Sequence, residues 1–361
     1  MLPRQTLFIA LLMAALLQQP SASLASDFTD VLDLPAMPSD LAATSPLTAI
    51  TRAGARLVAV GQRGHILLSD DDGRSWQQAE VPVSSDLNAV HFATAEEGWA
   101  VGHDGVVLRS RDAGRTWERQ LDGRVLGQLM LDYYSALALA RPDDDRVGQL
   151  VEESKRIVAE GADKPFLDVW FENARTGYVV GAFNLILRTD DGGAHWLPQQ
   201  HLTENPYALH LNAIDAAGNN LYIAGEQGLL LKRDPDTGYF RQMASSYDGS
   251  YFGLLGQPGL LLAYGLRGHL FRSTDQGERW HAIDVGSAVS LTAAAADTHG
   301  RIFLANQAGQ TFVSNDRGIS FAPLPAHDLS AIAGAGTAAD GSLVLTGQRG
   351  IHRITHEQQK D

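Results

Sequence analysis

Residues 61–76 read Gly61-Gln62-Arg63-Gly64-His65-Ile66-Leu67-Leu68-Ser69-Asp70-Asp71-Asp72-Gly73-Arg74-Ser75-Trp76. A glycine-bounded turn is followed by a short apolar strand, a second turn built on Asp and Gly, and a closing aromatic. The first turn recurs as Gly102-His103-Asp104-Gly105, Gly181-Ala182-Phe183-Asn184, Gly225-Glu226-Gln227-Gly228, Gly265-Leu266-Arg267-Gly268, Asn306-Gln307-Ala308-Gly309 and Gly347-Gln348-Arg349-Gly350. Asn replaces Gly twice, and Asn tolerates positive φ better than other non-glycine residues. Successive turns lie 41, 79, 44, 40, 41 and 41 residues apart. A period near 40 residues with short strands is that of a four-stranded propeller blade.

The second turn recurs in register as Ser/Thr-x-Asp-x-Gly followed by an aromatic. Its acidic residues are Asp71, Asp112, Asp191, Asp275 and Asp316, closed by Trp76, Trp117, Trp196, Trp280 and Phe321. This is the Asp box, in which the carboxylate accepts backbone N–H groups and the aromatic packs beneath the turn. These aspartates are read as structural. The pattern predicts an all-β, seven-bladed β-propeller of four-stranded antiparallel blades over residues 26–361. In the second blade the strands are expected at 87–92, 98–101, 106–110 and 116–120. The last blade runs out at Thr355 without a fourth strand, and residues 30–35 resemble one, so the N-terminal strand is expected to complete it and remove two open edges.

Residues 121–165 break the repeat. Val125, Leu126, Leu129, Met130, Tyr133, Tyr134 and Leu137 fall at helical spacing, as do Val147, Leu150, Val151, Ser154, Ile157 and Val158. Pro142 and the carboxylates of Asp143 to Asp145 separate the two runs. The reading is an α-helical hairpin inserted between blades 2 and 3, overhanging the face that carries the Gly-x-x-Gly turns. Met130, Tyr133 and Tyr134 are its candidate docking residues, being adaptable or amphipathic.

The remaining features bound the function. The 361-residue chain has a formal charge of -14 and no cysteine. An acidic chain argues against nucleic acid, whose binding needs a clustered basic surface. Arg4, the apolar run 7–17 and Ser23-Leu24-Ala25 read as a signal peptide over residues 1–25, too short in its apolar part to span a bilayer. Without cysteine there is no lipobox, so a periplasmic or secreted protein is expected, with no membrane span after cleavage and monomeric on its own. At the third turn position stand Arg63, Asp104, Phe183, Gln227, Arg267, Ala308 and Arg349. Arg63, Arg267 and Arg349, with His103 beside them, form a candidate basic patch for carboxylates or phosphates; the bland alternative is that arginine merely solvates a turn. Asp168 and Asp215 are placed to line the axial channel. No nucleophile elbow, Walker motif or histidine metal pair occurs, so no catalytic residue, metal or cofactor is assigned.

The alternation from Gly61 to Trp76, and again from Gly265 to Trp280, resembles the photosystem II stability/assembly factor family of Asp-box (BNR-repeat) propellers, over about residues 27–355. The resemblance implies an exported propeller that chaperones membrane-protein assembly, with an arginine-rich patch on one face that would here be Arg63, Arg267 and Arg349. The hairpin and the missing lipobox cysteine depart from cyanobacterial members and suggest a non-photosynthetic bacterial branch. Its partner is expected to be a protein, in envelope membrane-protein or transport machinery. Sialidase-like or other glycoside hydrolases, which also carry Asp boxes, are the enzyme alternative; sialidases usually have six blades and an Arg-Ile-Pro segment that is absent here.

Overall fold

The computed structural model describes residues 29–325 and 329–355, and the signal-peptide expectation lies outside them. From Val31 onward the chain forms one unit of seven antiparallel sheets, each a meander with its strands paired in chain order. The innermost strands are Leu47–Ala53, Leu87–Phe92, Phe166–Phe171, Leu211–Ala217, Tyr251–Gln257, Leu291–Ala296 and Ile332–Thr337 for blades 1 to 7. Each packs against the next and the seventh against the first, closing a ring around an axial channel. The propeller read from the repeat is the fold.

The second strands are buried end to end in six of the seven blades, for example Arg56–Gly61, Gly98–Gly102 and Leu343–Gly347. Both faces of such a strand meet neighbouring blades, so near-continuous apolar runs replace alternation. The cores lie between blades. Trp99 of blade 2 stacks on Phe171 of blade 3 with ring centroids 3.5 Å apart, and Trp196 meets Phe171 edge-on. Full burial of side chains of this kind contributes roughly 1.5–3 kcal/mol each.

The two glycines of each turn answer different demands. The first lies where the chain entering the same blade crosses it: a Cβ on Gly61 would sit 2.5 Å from Pro46 O, on Gly102 2.0 Å from Asp86 O, and on Gly265 2.2 Å from Ser250 O. The next residue's N–H donates to that same carbonyl in all seven blades, Gln62 to Pro46 through Gln348 to Ala331, at 2.8–3.3 Å. The fourth residue is left-handed and faces the crossing to the following blade, with a Cβ on Gly64 falling 2.1 Å from Val83 O. Asn184 takes this position at φ 61, as its side chain permits. Asn306 works differently: its amide oxygen accepts the N–H groups of Ala308 and Gln310, both at 3.0 Å.

The expected closure by a strand at residues 30–35 is corrected. The last sheet has three strands among the described residues, and residues 30–35 form none. Val31 O accepts the N–H of Ser84, Leu32 is buried between blades 1 and 2, and Asp33 pairs with Arg124 at 2.7 Å. Leu32 finds a dry slot there that an edge on blade 7 would not give it. Closure falls instead to the short turn Ala42–Thr44, whose Ala43 carbonyl lies where a Cβ on Gly350 would come within 2.0 Å. Arg74 and Arg353 both reach Asp340, at 2.8 and 2.5 Å, and Arg353 donates to Asp72 O, stitching blade 1 to blade 7.

The insertion is a helical hairpin, α1 (Gly123–Ala140) and α2 (Asp145–Glu160), between blades 2 and 3. Asp122 caps α1 and Asp144 caps α2, each carboxylate accepting N–H groups of the first turn. The helices cross closely at Gly127, where a Cβ would lie 2.7 Å from Val158 N.

Candidate protein-binding face

In each meander the third strand starts at a Gly-x-x-Gly turn and ends, in five blades, at a Ser/Thr-x-Asp-x-Gly turn, so the two sets of turns occupy opposite faces. On the first face the third turn residue is left-handed in five blades: Arg63 (φ 55), Asp104 (φ 56), Phe183 (φ 53), Gln227 (φ 51) and Arg267 (φ 59). Main-chain bonds hold this conformation. The N–H of Arg63 donates to Asp86 at 2.7 Å and that of Arg267 to Ser290 at 3.2 Å, which frees both side chains for solvent. Blade 7 is tighter, a two-residue hairpin with Gly347 paired to Gly350 and Arg349 at its tip.

Arg63, Arg267, Arg349 and His103 are all exposed on this face. Arg63 and Arg349 belong to adjoining blades, and Arg267 lies two blades from Arg349. None of the three guanidiniums is paired with a carboxylate among the described residues. Other arginines of the chain are locked to carboxylates, Arg56 to Asp70 at 2.7 Å and Arg109 to Glu97 at 2.8 Å among them. An uncompensated guanidinium on a chain of charge -14 keeps its bidentate donors available to an incoming carboxylate or phosphate.

The opposite face is internally satisfied. Asp71 accepts from Ser69 Oγ and from the N–H and Oγ of Ser75, and Asp112, Asp191, Asp275 and Asp316 repeat the scheme in part or whole. The Asp191 carboxyl is held down at about 2, foremost by the N–H of His195. These carboxylates are occupied by their own turns.

Two expected docking residues are elsewhere. Met130 and Tyr134 are buried where α1 sits on blade 3, and Tyr133 is half-buried beside His201. The Tyr134 hydroxyl donates to Gln200 Oε1 at 2.5 Å and accepts the Gln200 N–H at 3.1 Å. Helical spacing marks an apolar stripe but not whether the stripe faces the parent domain or a partner; here it is the seat of the hairpin. Sequence reading gives Phe183 only as a turn residue, and it stays 52% exposed in its left-handed turn. A phenylalanine at the turn position held by arginine in three other blades was the available signal.

The axial channel, about 200 Å³, is lined by all seven innermost strands, with no arginine among its lining residues. Its polar side chains staple blades together. Thr48, Asn88, Asn212 and Thr292 each donate to a carbonyl of the next blade. Asp168 accepts N–H groups of Val169 and Ile214, and Asp215, which is not among the channel-lining residues, accepts those of Ala216 and Gly256, all at 2.8 Å. Burial pushes Asp168 up to about 7 and Asp215 up to about 6. Both oxygens of each carboxylate are engaged, so neither is placed as a free acid or base.

A family model described as "Photosynthesis system II assembly factor YCF48" matches residues 47–131 and 149–322, more than half of the chain. A photosystem II assembly lipoprotein Ycf48 from Synechococcus sp. (strain CC9902) is 32% identical over 125 residues, an alignment that takes in 32% of this chain and only 36% of that relative. Among solved structures, one described as YCF48 bound to D1 peptide superposes with a TM-score of 0.61 at 16% identity, covering 91% of this chain and 99% of the other. YCF48 from Cyanidioschyzon merolae gives 0.62 at 15%, covering 89% and 98%. At those identities the superpositions speak for the fold alone.

Proposed function

The chain belongs to the photosynthesis system II assembly factor YCF48 family, and we propose that it is an exported, non-catalytic scaffold that holds a membrane or envelope protein during assembly. The reading assigns recognition to Arg63 and Arg349 on adjoining blades, with Arg267 and His103 extending the contact, and assigns the partner an acidic segment. One observation carries it: three exposed guanidiniums without a carboxylate partner among the described residues share a face of an acidic molecule. A related propeller described as bound to D1 peptide supports a polypeptide as the occupant. The leader-like residues 1–25 support export, and no described helix is long and apolar enough to cross a membrane. The partner belongs to envelope assembly or transport machinery in this reading.

Affinity purification from detergent-solubilised envelope of the source cells tests it. Wild type is expected to recover a membrane protein in near-stoichiometric yield, and the Arg63→Glu, Arg349→Glu double variant to lose it while melting like wild type. Equal recovery with both proteins would refute the assignment.

A further inference from the structure

A second site, independent of the arginine face, lies against the hairpin. A cleft of about 570 Å³ opens between α2, the blade 3 turn and the loop at 204–208. Leu150 and Ile157 supply apolar wall, and Phe183 stands at its edge. Tyr207, 83% exposed, lies between the lining residues Pro206 and Ala208. Phe183 and Tyr207 are the only Phe, Tyr or Trp side chains among the described residues that are more than about a third exposed. Phe183 lines this cleft, and Tyr207 stands in the loop that flanks it. Exposed aromatics beside an apolar hollow are what protein-recognition surfaces concentrate.

The charge of the cleft selects its occupant. Asp145, Glu153 and Glu204 line it. Its two basic residues are committed: Lys164 to Glu160 at 2.6 Å and Asp163 at 2.9 Å, Arg146 to Gln200 O at 3.0 Å and the Tyr239 hydroxyl at 3.1 Å. Glu153 is likewise committed, to Arg156, whereas Asp145 has no cationic partner among the described residues and Glu204 accepts only the Gln242 N–H at 2.8 Å, so these two carboxylates leave the rim acidic. A second hollow of about 540 Å³ along α2 shares Asp145, Gln149 and Glu153 with the first and adds Arg156 and Glu152, the latter paired with Lys155 at 2.7 Å. Together they make an elongated groove, longer than a compact small molecule fills, in which Asp145 and Glu204 are the carboxylates outside any ion pair among the described residues.

We propose that this groove binds a basic polypeptide segment, seating an apolar side chain between Ile157 and Phe183 while its lysines or arginines meet Asp145 and Glu204. The hairpin then acts as a second receptor beside the propeller, opposite in charge preference to the arginine face.

The test uses the purified full chain and two fluorescein-labelled 14-residue peptides, one alternating Lys with Leu and Phe, the other with Glu in place of Lys. Fluorescence anisotropy is read for wild type, Gln149→Trp (which fills the cleft from an exposed position), Phe183→Ala, and the Arg63→Glu, Arg349→Glu double variant. The expected result is saturable binding of the Lys peptide only, weakened at least tenfold by Gln149→Trp and by Phe183→Ala, and unchanged by the double variant. No binding to wild type overturns the proposal. So does binding that survives both cleft substitutions, or equal binding of the Glu peptide. Loss of partner recovery in the double variant, with Lys-peptide binding intact, separates this site from the arginine face.

Discussion

The carboxylate of Asp168 in blade 3 accepts the main-chain N–H of Ile214 in blade 4 at 2.8 Å, so a titratable group spans a blade boundary. Burial raises Asp168 to about 7, above its ordinary value of 3.8, so the folded chain holds this proton more tightly than the unfolded one. Its contribution to stability is full below pH about 4 and is lost as pH rises through about 7. Burial lowers His91 and His201 to about 4, giving the opposite trend: their contributions fade as pH drops from about 6.5 to 4. Asp168→Asn removes the first trend and keeps the second. Its melting temperature should fall more steeply than that of wild type on acidification from pH 6.5 to 4, by thermal denaturation in matched buffers.

Asp191 has the reverse sign. Held at about 2 in the folded chain, it contributes above pH about 4 and loses that contribution as pH falls toward 2. Asp71 and Asp316 are lowered further, first by Ser75 and Ser320 hydroxyls donating to them. Asp191→Asn should melt below wild type at pH 7 and converge with it near pH 2. A constant gap would refute the account.

Gly347 and Gly148 separate a required glycine from a tolerated one. A Cβ at Gly347 would lie 2.2 Å from Ala331 O, whereas one at Gly148 on α2 meets nothing within 4 Å. Gly347→Ala is expected to cost about 2 kcal/mol or more. Gly148→Ala should stabilise by roughly 0.5–1 kcal/mol, the ordinary gain inside an exposed helix. Urea denaturation of both variants reads the difference.

Tyr134→Phe removes the hydroxyl shared by Gln200 Oε1 and the Gln200 N–H. Both groups are then left buried without that partner, at a cost of about 1–3 kcal/mol. The loss should appear in the urea midpoint and as faster proteolysis within the hairpin.

Recognition by exposed guanidiniums is screened by salt, with a Debye length of roughly 10 Å at 0.1 M. Partner binding should weaken between 50 and 500 mM NaCl. Arg63→Ala with Arg349→Ala should lower affinity by about tenfold and flatten that dependence. Surface plasmon resonance across a salt series checks both.

The architecture was legible because each blade repeats the same stereochemical demands. Gly61, Gly102 and Gly265 must yield to a crossing carbonyl, and Asp71 and Asp112 must feed the N–H groups of their turns, so fixed residue types recur at fixed spacing. The hairpin announced itself through Asp144 and the apolar stripes. What failed was direction. Met130 and Tyr134 read as available because periodicity records an apolar face without naming what covers it. Residues 30–35 resembled a strand, but Leu32 is drawn to a hollow between blades 1 and 2 that only the assembled ring creates. Phe183 reads only as a turn residue, because one aromatic in one turn has no period.

The bond from the second turn residue to the entering carbonyl, repeated from Gln62 to Gln348, has a further consequence. It uses peptide groups only, so the next side chain contributes nothing to holding its own loop together. Around the ring those side chains spell Arg, Asp, Phe, Gln, Arg, Ala, Arg, a seven-letter inscription written on an invariant frame. Selection can rewrite a letter to any residue that tolerates its turn conformation, and so change what the molecule greets, without reopening the question of how it folds.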